Sequence, residues 1–303
     1  SEVKDELTHV PPECSHCDKA VLAALVRIEG TLFLSGGRGY RLEIATEISS
    51  VARLIIRLLH TIYSLKTELT VRRSVLHKTP NYLITVPAQA GIEEALHDLG
   101  VLGDHGLELG IESHLVEKNC CAAAYLRGAF LGSGFISEPR GDFHFEITME
   151  SAEQADDIVR LLAEREISAR ILRRRNSYTV YLKSGEAISE FLALTGAYQC
   201  ALAMANERVR KSVRNDINRR VNAEVANQAK SAEAAIDQIV SIRKLAESGK
   251  VAELPAGLQE FVKLRLQNPD ASLKELGERA NPPLSKSAVY HRVRRLEEIA
   301  RNL

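Results

Sequence analysis

No stretch of this sequence stays apolar for anything near the ~18 residues a membrane-spanning helix needs. Its opening residues, SEVKDELTHVPPEC, are charged where a signal peptide would carry its apolar core. A cytoplasmic protein is expected. Net charge is also missing, because 40 lysines and arginines meet 40 aspartates and glutamates. That excludes a surface built as a whole for polyanions, but not local concentrations of one sign. Cysteine is scarce: Cys14, Cys17, Cys120, Cys121 and Cys200 are all there is. CSHCD, from Cys14 to Asp18, looks like half a zinc site. A structural zinc needs four ligands, usually with a second close pair, and the adjacent Cys120 and Cys121 are poorly spaced for that role. Free, reduced thiols are expected, with no metal and no cofactor.

What is present is enough apolar residue, 45%, to bury real cores in a 303-residue chain that is too long for one. The balanced charge is unevenly spread. RVRKSVRNDINRR, from Arg208 to Arg220, is strongly basic, and the last helical stretch carries Arg292, Arg294, Arg295 and Arg301. Such local basic segments are a common pattern in modular DNA-binding proteins.

An internal repeat organises the first two thirds. YRLEIATEISSVARLIIRLL (Tyr40 to Leu59) matches FHFEITMESAEQADDIVRLL (Phe143 to Leu162) at constant offset, and LTVRRS (Leu69 to Ser74) lands on LRRRNS (Leu172 to Ser177). Each copy opens with an apolar helix, roughly Lys19 to Glu29 and Asn119 to Leu131. A strand follows, with alternating Tyr40, Leu42, Ile44 or Phe143, Phe145, Ile147. An amphipathic helix, a strand pair and a last helix complete each copy. Within the opening helices, LAALVRIEG (Leu22 to Gly30) and LRGAFLGSG (Leu126 to Gly134) both resemble the LAGLIDADG signature of homing endonucleases. In that family the two motif helices pack closely through small residues, a role that Ala23, Ala24, Gly128 and Ala129 suit.

The resemblance also shows a departure. Family enzymes place one acid at the end of each motif helix, and metal-assisted phosphodiester hydrolysis needs both. Glu29 holds the first position here, but Ser133 holds the second, and a neutral hydroxyl is a poor ligand for Mg²⁺. Arg27 offsets the local negative charge further, and Glu138 and Asp142 sit past the turn. No enzymatic activity is expected. On the sheet face that serves the family as a DNA saddle, alternation groups Arg41 with Glu43 and His144 with Glu146. Arg72, Arg173 and Arg175 on neighbouring strands are expected to compensate those carboxylates in part.

After Ala197 the repeat ends, and Tyr198 to Leu245 reads as helix, almost free of Gly and Pro. Arg208, Arg210, Lys211, Arg214, Arg219 and Arg220 are candidates for phosphate contact. The alternative is an exposed connecting helix paired to its own Glu207, Asp216 and Glu224. A break follows between Ala246 and Pro255. The remainder reads as helix, break, helix, turn, helix. Leu258 to Leu266 is the first helix. Ser272 and Glu275 form a capping box on the second, Asn281 to Leu284 make the turn, and Ser285 caps the third. On that third helix, Val289, Val293, Leu296 and Ala300 form a packing stripe. Ser287, His291, Arg294 and Arg295 project opposite, flanked by Lys286 and Tyr290. This is the layout of a helix-turn-helix, whose recognition helix enters the major groove by its N-terminal turns. Lys274, Ser285, Lys286, Ser287, Tyr290, His291, Arg294 and Arg295 are the candidate DNA contacts.

The order of these parts resembles the WhiA family of bacterial regulators. The carrying residues are NERVRKSVRNDINRRVNAEVAN (Asn206 to Asn227), LPAGLQEFVKLRLQNPDASLKELGE (Leu254 to Glu278) and PPLSKSAVYHRVRRLEEIA (Pro282 to Ala300). The resemblance implies an α+β fold, a duplicated, degenerate LAGLIDADG domain followed by an all-α helix-turn-helix domain. The expected boundaries are 1–110 and 111–200 for the repeats, 201–254 for a basic helical linker and 255–303 for the helix-turn-helix. It implies transcriptional control of sporulation or cell division in the nucleoid. The implied partners are promoter DNA, a WhiB-like iron–sulfur protein and RNA polymerase holoenzyme. Two rival classes are a protein-interaction scaffold with secondary DNA binding and a metal-dependent DNA endonuclease.

Overall fold

The computed structural model describes residues 2–35, 39–73, 80–137 and 143–303, with only the backbone of Ser35 and Arg73. Glu138 and Asp142 lie outside the described residues. The chain divides into two compact units, Ser1–Lys211 and Ser212–Leu303.

The first unit opens with α1 (Glu2–Leu7) and the motif helix α2 (Cys17–Glu29). Strands β1 (Gly30–Ser35) and β2 (Gly39–Thr46) lead to α3 (Ser49–Tyr63), then β3 (Glu68–Arg73), β4 (Pro80–Val86) and α4 (Ile92–Asp98). A small hairpin, β5 (Leu102–Gly103) with β6 (Gly106–Leu107), leads to the second copy. That copy runs through motif helix α5 (Asn119–Ser133), β7 (Phe135–Ile136), β8 (Phe145–Met149), α6 (Ala152–Ala163), β9 (Arg170–Arg174), β10 (Ser177–Leu182) and α7 (Gly185–Thr195). The two four-stranded antiparallel sheets have the same order, β1-β2-β4-β3 and β7-β8-β10-β9. The repeat seen in sequence is thus a repeat of topology.

Where one strand is expected after each motif, the structure has a hairpin. The first arm escapes sequence reading because its apolar residues do not alternate: Leu32, Phe33 and Leu34 run together, and Leu34 is left 83% exposed. The second arm does alternate, with Leu42 and Ile44 buried opposite Val86 and Ile84 of β4. The motif helices pack at the centre of the core. A Cβ added at Gly128 would lie 2.4 Å from the Val21 carbonyl oxygen and 2.9 Å from the Ala24 Cβ. Only glycine permits that approach of the two backbones.

Helix α8 (Tyr198–Glu247) begins in the first unit and continues into the second, followed by α9 (Ala256–Gln267), α10 (Leu273–Glu278) and α11 (Lys286–Arg301). The second unit's core joins Leu258, Phe261, Val262, Leu276, Val289, Val293, Leu296 and Ala300. Ile242 and Leu245, from the stretch expected to be linker, are also buried in it. So is Arg265, whose guanidinium donates to Gln238 Oε1 on α8 at 2.9 Å and to the Ala271 carbonyl at 2.5 Å, bracing the turn into α10.

Candidate nucleic-acid interface

Three local devices set the geometry of the last three helices. Ser272 accepts from Glu275 N–H while the Glu275 carboxylate accepts from Ser272 N–H at 2.7 Å, so the capping box is complete and α10 starts where expected. Ser285 accepts from Ala288 N–H at 3.2 Å and starts α11. Between them the chain turns back so tightly that Leu284 N–H donates to the Gly277 carbonyl at 2.8 Å. A Cβ at Gly277 would meet the Leu284 carbonyl oxygen at 2.3 Å.

On α11 the buried stripe is Val289, Val293, Leu296 and Ala300. Each large member stabilises the unit by about 1.5–3 kcal/mol, which fixes the opposite face outward. Lys286, Ser287, Tyr290, His291, Arg294 and Arg295 are all exposed. Ser287, Tyr290, His291, Arg294 and Arg295 recur three and four residues apart, so they share one face. Arg292 is half-buried and bonded to Glu260 on α9 at 2.8 Å, making it a packing residue. The same pairing, with Asn281 N–H, holds the Glu260 carboxyl below its usual range. The run Lys286 to Arg295 contains no acid. Lys274, on α10, is exposed and within 3.8 Å of Glu278. Ser285 spends its hydroxyl on the cap.

The basic section of α8 is divided in its use. Arg208 lies 3.6 Å from Glu186, Arg210 2.8 Å from Glu207, and Arg219 2.5 Å from Asp216. The Lys211 ammonium sits 4.0 Å from the centre of the Phe143 ring. Arg214 and Arg220 have no ion pair among the described residues and are exposed. Between these charges Val213, Ile217, Val221 and Val225 are exposed at four-residue spacing.

In the first unit, the two acid positions are occupied in an asymmetric way. Ser133 is tied to the sheet: its hydroxyl donates to the Thr148 carbonyl at 2.5 Å and accepts from Thr148 N–H at 3.1 Å, pinning α5 to β8. Glu29 is half-buried, and desolvation pushes its carboxyl above the usual range against the pull of the Lys4 charge. Lys4, from α1, donates to the Gly132 carbonyl at 2.6 Å, and burial lowers its ammonium to about 8 despite the Glu29 and Glu47 charges. The cation beside Glu29 is therefore Lys4. Arg27, expected to play that part, turns the other way and donates to the Gly100 and Glu108 carbonyls, at 2.5 and 2.8 Å, next to the β5–β6 hairpin. Side chains two apart on a helix point about 200° apart, which is why Arg27 and Glu29 diverge.

The outer sheet faces pair as alternation predicts. Arg41 lies 3.2 Å from Glu43, and His144 lies 3.3 Å from Glu146. Arg72 shares the first face through its register with Asn81. Arg173 does not share the second: it stands in β9 two residues from the inward Ile171, so it lies on the core side, over the Tyr178 ring. Arg170 and Arg174 hold the outer side instead, and Arg175 falls in the turn.

Sequence reading treated the two cysteine pairs as unrelated, and the structure gathers them. The sulfurs of Cys14, Cys17, Cys120 and Cys121 all lie within 4.8 Å of one another. The repeat carried a signal for this, since Cys17 and Cys121 both stand five residues before the first residue of their motifs, Leu22 and Leu126. Their helices pack together, so equivalent positions meet.

Comparison with known proteins agrees with this layout. The family descriptions that match are the WhiA N-terminal LAGLIDADG-like domain over residues 15–102, the WhiA LAGLIDADG-like domain over 122–214 and the WhiA C-terminal HTH domain over 217–300. A probable cell division protein WhiA of Desulforamulus reducens is 43% identical over 99% of this chain and 94% of its own. One from Heliobacterium modesticaldum is 41% identical with the same coverage. The crystal structure of full-length WhiA from Thermatoga maritima superposes with a TM-score of 0.60 at 25% identity, covering 100% of this chain and 97% of that one. The N-terminal LAGLIDADG domain of WhiA, at 22% identity and TM-score 0.52 over 64% of this chain and 88% of that one, has the fold of the first unit. With its two degenerate motif helices, its duplicated sheets and its C-terminal helix-turn-helix, this chain belongs to the WhiA family.

Proposed function

We propose that this protein is a sequence-specific DNA-binding regulator of transcription that reads duplex DNA with the exposed face of α11. The observation that carries the reading is that face itself. It presents Lys286, Ser287, Tyr290, His291, Arg294 and Arg295 free of acids on a helix whose other side is locked in a core. Arg294 is the residue placed to read a base edge, and the helix N-terminus and Lys286 favour phosphate. Lys274 adds a backbone contact from α10. Arg214 and Arg220 give sequence-independent affinity.

The LAGLIDADG-like half acts in this reading without cutting DNA and as the surface for a protein partner. What supports the absence of cutting is the neutral Ser133 hydroxyl, held to Thr148 by two hydrogen bonds, and the Lys4 ammonium facing Glu29 where a metal enzyme would need a second carboxylate. Control of cell division fits the names of the relatives. A WhiB-like iron–sulfur protein and RNA polymerase holoenzyme are the partners to test first, and the nucleoid is the expected site of action.

The test is a pair of binding curves for each variant, on a promoter fragment selected by genome-wide mapping and on a scrambled duplex. Arg294→Ala is expected to weaken specific binding about tenfold to a hundredfold, the range of a bidentate arginine–guanine contact, with little change on scrambled DNA. Arg214→Ala should weaken both alike and flatten the salt dependence. If Arg294→Ala lowers both affinities equally, its guanidinium touches backbone, and the base-reading role moves to Lys286, Ser287 and Tyr290 at the start of α11. Supercoiled plasmid with Mg²⁺ or Mn²⁺ should stay uncut. Cutting that disappears in Glu29→Ala would replace the regulator reading with a nuclease.

A further inference from the structure

Four thiols that converge in one place need an explanation, because an S–H group is a weak donor and gains little from packing against other sulfurs. Cys14 Sγ lies 3.5 Å from Cys17 Sγ, 3.5 Å from Cys121 Sγ and 3.6 Å from Cys120 Sγ. These are not disulfide distances, which are about 2.05 Å, and all five cysteines are free. They are close to the roughly 3.8 Å edge of a tetrahedron of sulfurs, each about 2.3 Å from a central zinc. Two of the four, Cys17 and Cys121, are buried, while Cys14 and Cys120 are partly open.

We propose that Cys14, Cys17, Cys120 and Cys121 bind one structural Zn²⁺ that clamps the two LAGLIDADG-like repeats together at the N-terminal ends of their motif helices. The ligand set is all thiolate, which selects zinc among the common divalent cations, and four protein ligands leave no open position for chemistry. Cys17 begins α2, and Cys120 and Cys121 stand in the first turn of α5, where free backbone N–H groups and the helix dipole favour negative charge. Cys17 N–H donates to the Cys14 carbonyl at 3.1 Å, closing the tight turn that brings the first pair together. Binding balances simply: each coordinating thiol gives up its proton to solvent as its sulfur takes the metal.

The position fits a clamp and not a relic of the nuclease centre. Cys17 and Glu29 are the two ends of α2, about 18 Å apart at 1.5 Å per residue. The joined segments are more than a hundred residues apart in sequence, so the bond closes a long loop and should stabilise strongly.

The experiment uses the full chain, purified under reducing conditions without added metal or chelator. Elemental analysis should give one zinc per chain. Replacement with Co²⁺ should give the visible bands and sulfur-to-metal charge transfer of a tetrahedral tetrathiolate. Cys17→Ser and Cys121→Ser alter buried positions, so Cys14→Ser and Cys120→Ser are made beside them. These variants of the half-exposed ligands should keep their circular dichroism spectrum yet lose zinc severalfold and unfold at a lower temperature. Cys200→Ser, which lies outside the cluster, should keep the metal. A folded wild-type protein with no stoichiometric metal, or iron in its place, would overturn the assignment. So would a Cys14–Cys17 disulfide in protein alkylated at lysis, or zinc unaffected by Cys14→Ser and Cys120→Ser.

Discussion

Lys4 is the most informative single residue in the first unit. Its ammonium is largely buried beside Glu29 and the Gly132 carbonyl, and burial brings it down to about 8. The folded state therefore holds this proton less firmly than the unfolded chain, where a lysine titrates near ~10.4. Between those values the unfolded state binds more protons, so this group makes stability rise with pH. Chemical denaturation of wild type and Lys4→Met from pH 7 to 10.5 should show it. The wild type should gain stability relative to the variant as pH climbs through about 8. A difference that does not change with pH would mean that Lys4 is not desolvated there. Nothing in the sequence singled out Lys4, which lies far along the chain from Gly132 and meets it only through the packing of α1 on α5.

At the scale of the element, the motif helices and α11 follow different logic. The α2–α5 pair is a contact of backbones, so its sensitive position is Gly128. Gly128→Ala places a methyl carbon 2.4 Å from the Val21 carbonyl oxygen, which belongs to backbone and has no rotamer in which to retreat. The helices must separate, and overpacking of this kind costs about 2–3 kcal/mol. Equilibrium urea unfolding should show a lowered midpoint with an unchanged slope. A cost below about 0.5 kcal/mol would mean that the two helices do not meet so closely. Helix α11 depends on side chains instead: one apolar stripe holds it, and its basic face is left to bind. That division was legible from spacing alone, because a 3.6-residue period assigns every position to a side once the buried stripe is known. The strands show the limit of such reasoning. Alternation paired Arg41 with Glu43 correctly, but Arg173, expected to help compensate those carboxylates, shares its side of β9 with the inward Ile171.

For the whole molecule, the question is where the second unit begins. Residues 255–303 contain the capped helices but not all of the core, since Ile242 and Leu245 are fully buried and Gln238 holds the Arg265 guanidinium. A fragment of residues 230–303 is expected to unfold cooperatively. A fragment of 255–303 should lose that transition, because it exposes the faces that Ile242 and Leu245 cover and leaves Arg265 buried without its α8 acceptor. Thermal melts followed by circular dichroism compare the two. Equal cooperativity would place the boundary at 255 and make the end of α8 a dispensable connector.

The sequence by itself determined the duplication, the two motif helices, the caps at Ser272 and Ser285 and the outward face of α11. Each of these is encoded within one turn, one helix or one alternating strand, where spacing dictates geometry. Only the tertiary structure decided which distant groups would share a space. Lys4 came to stand beside Glu29, Arg27 turned away to the interrepeat carbonyls, Arg265 reached back to Gln238, and four cysteines from two pairs more than a hundred residues apart converged on one point. The meeting of the cysteine pairs depends on how close α2 and α5 can come, and at Gly128 that approach leaves no room for a Cβ.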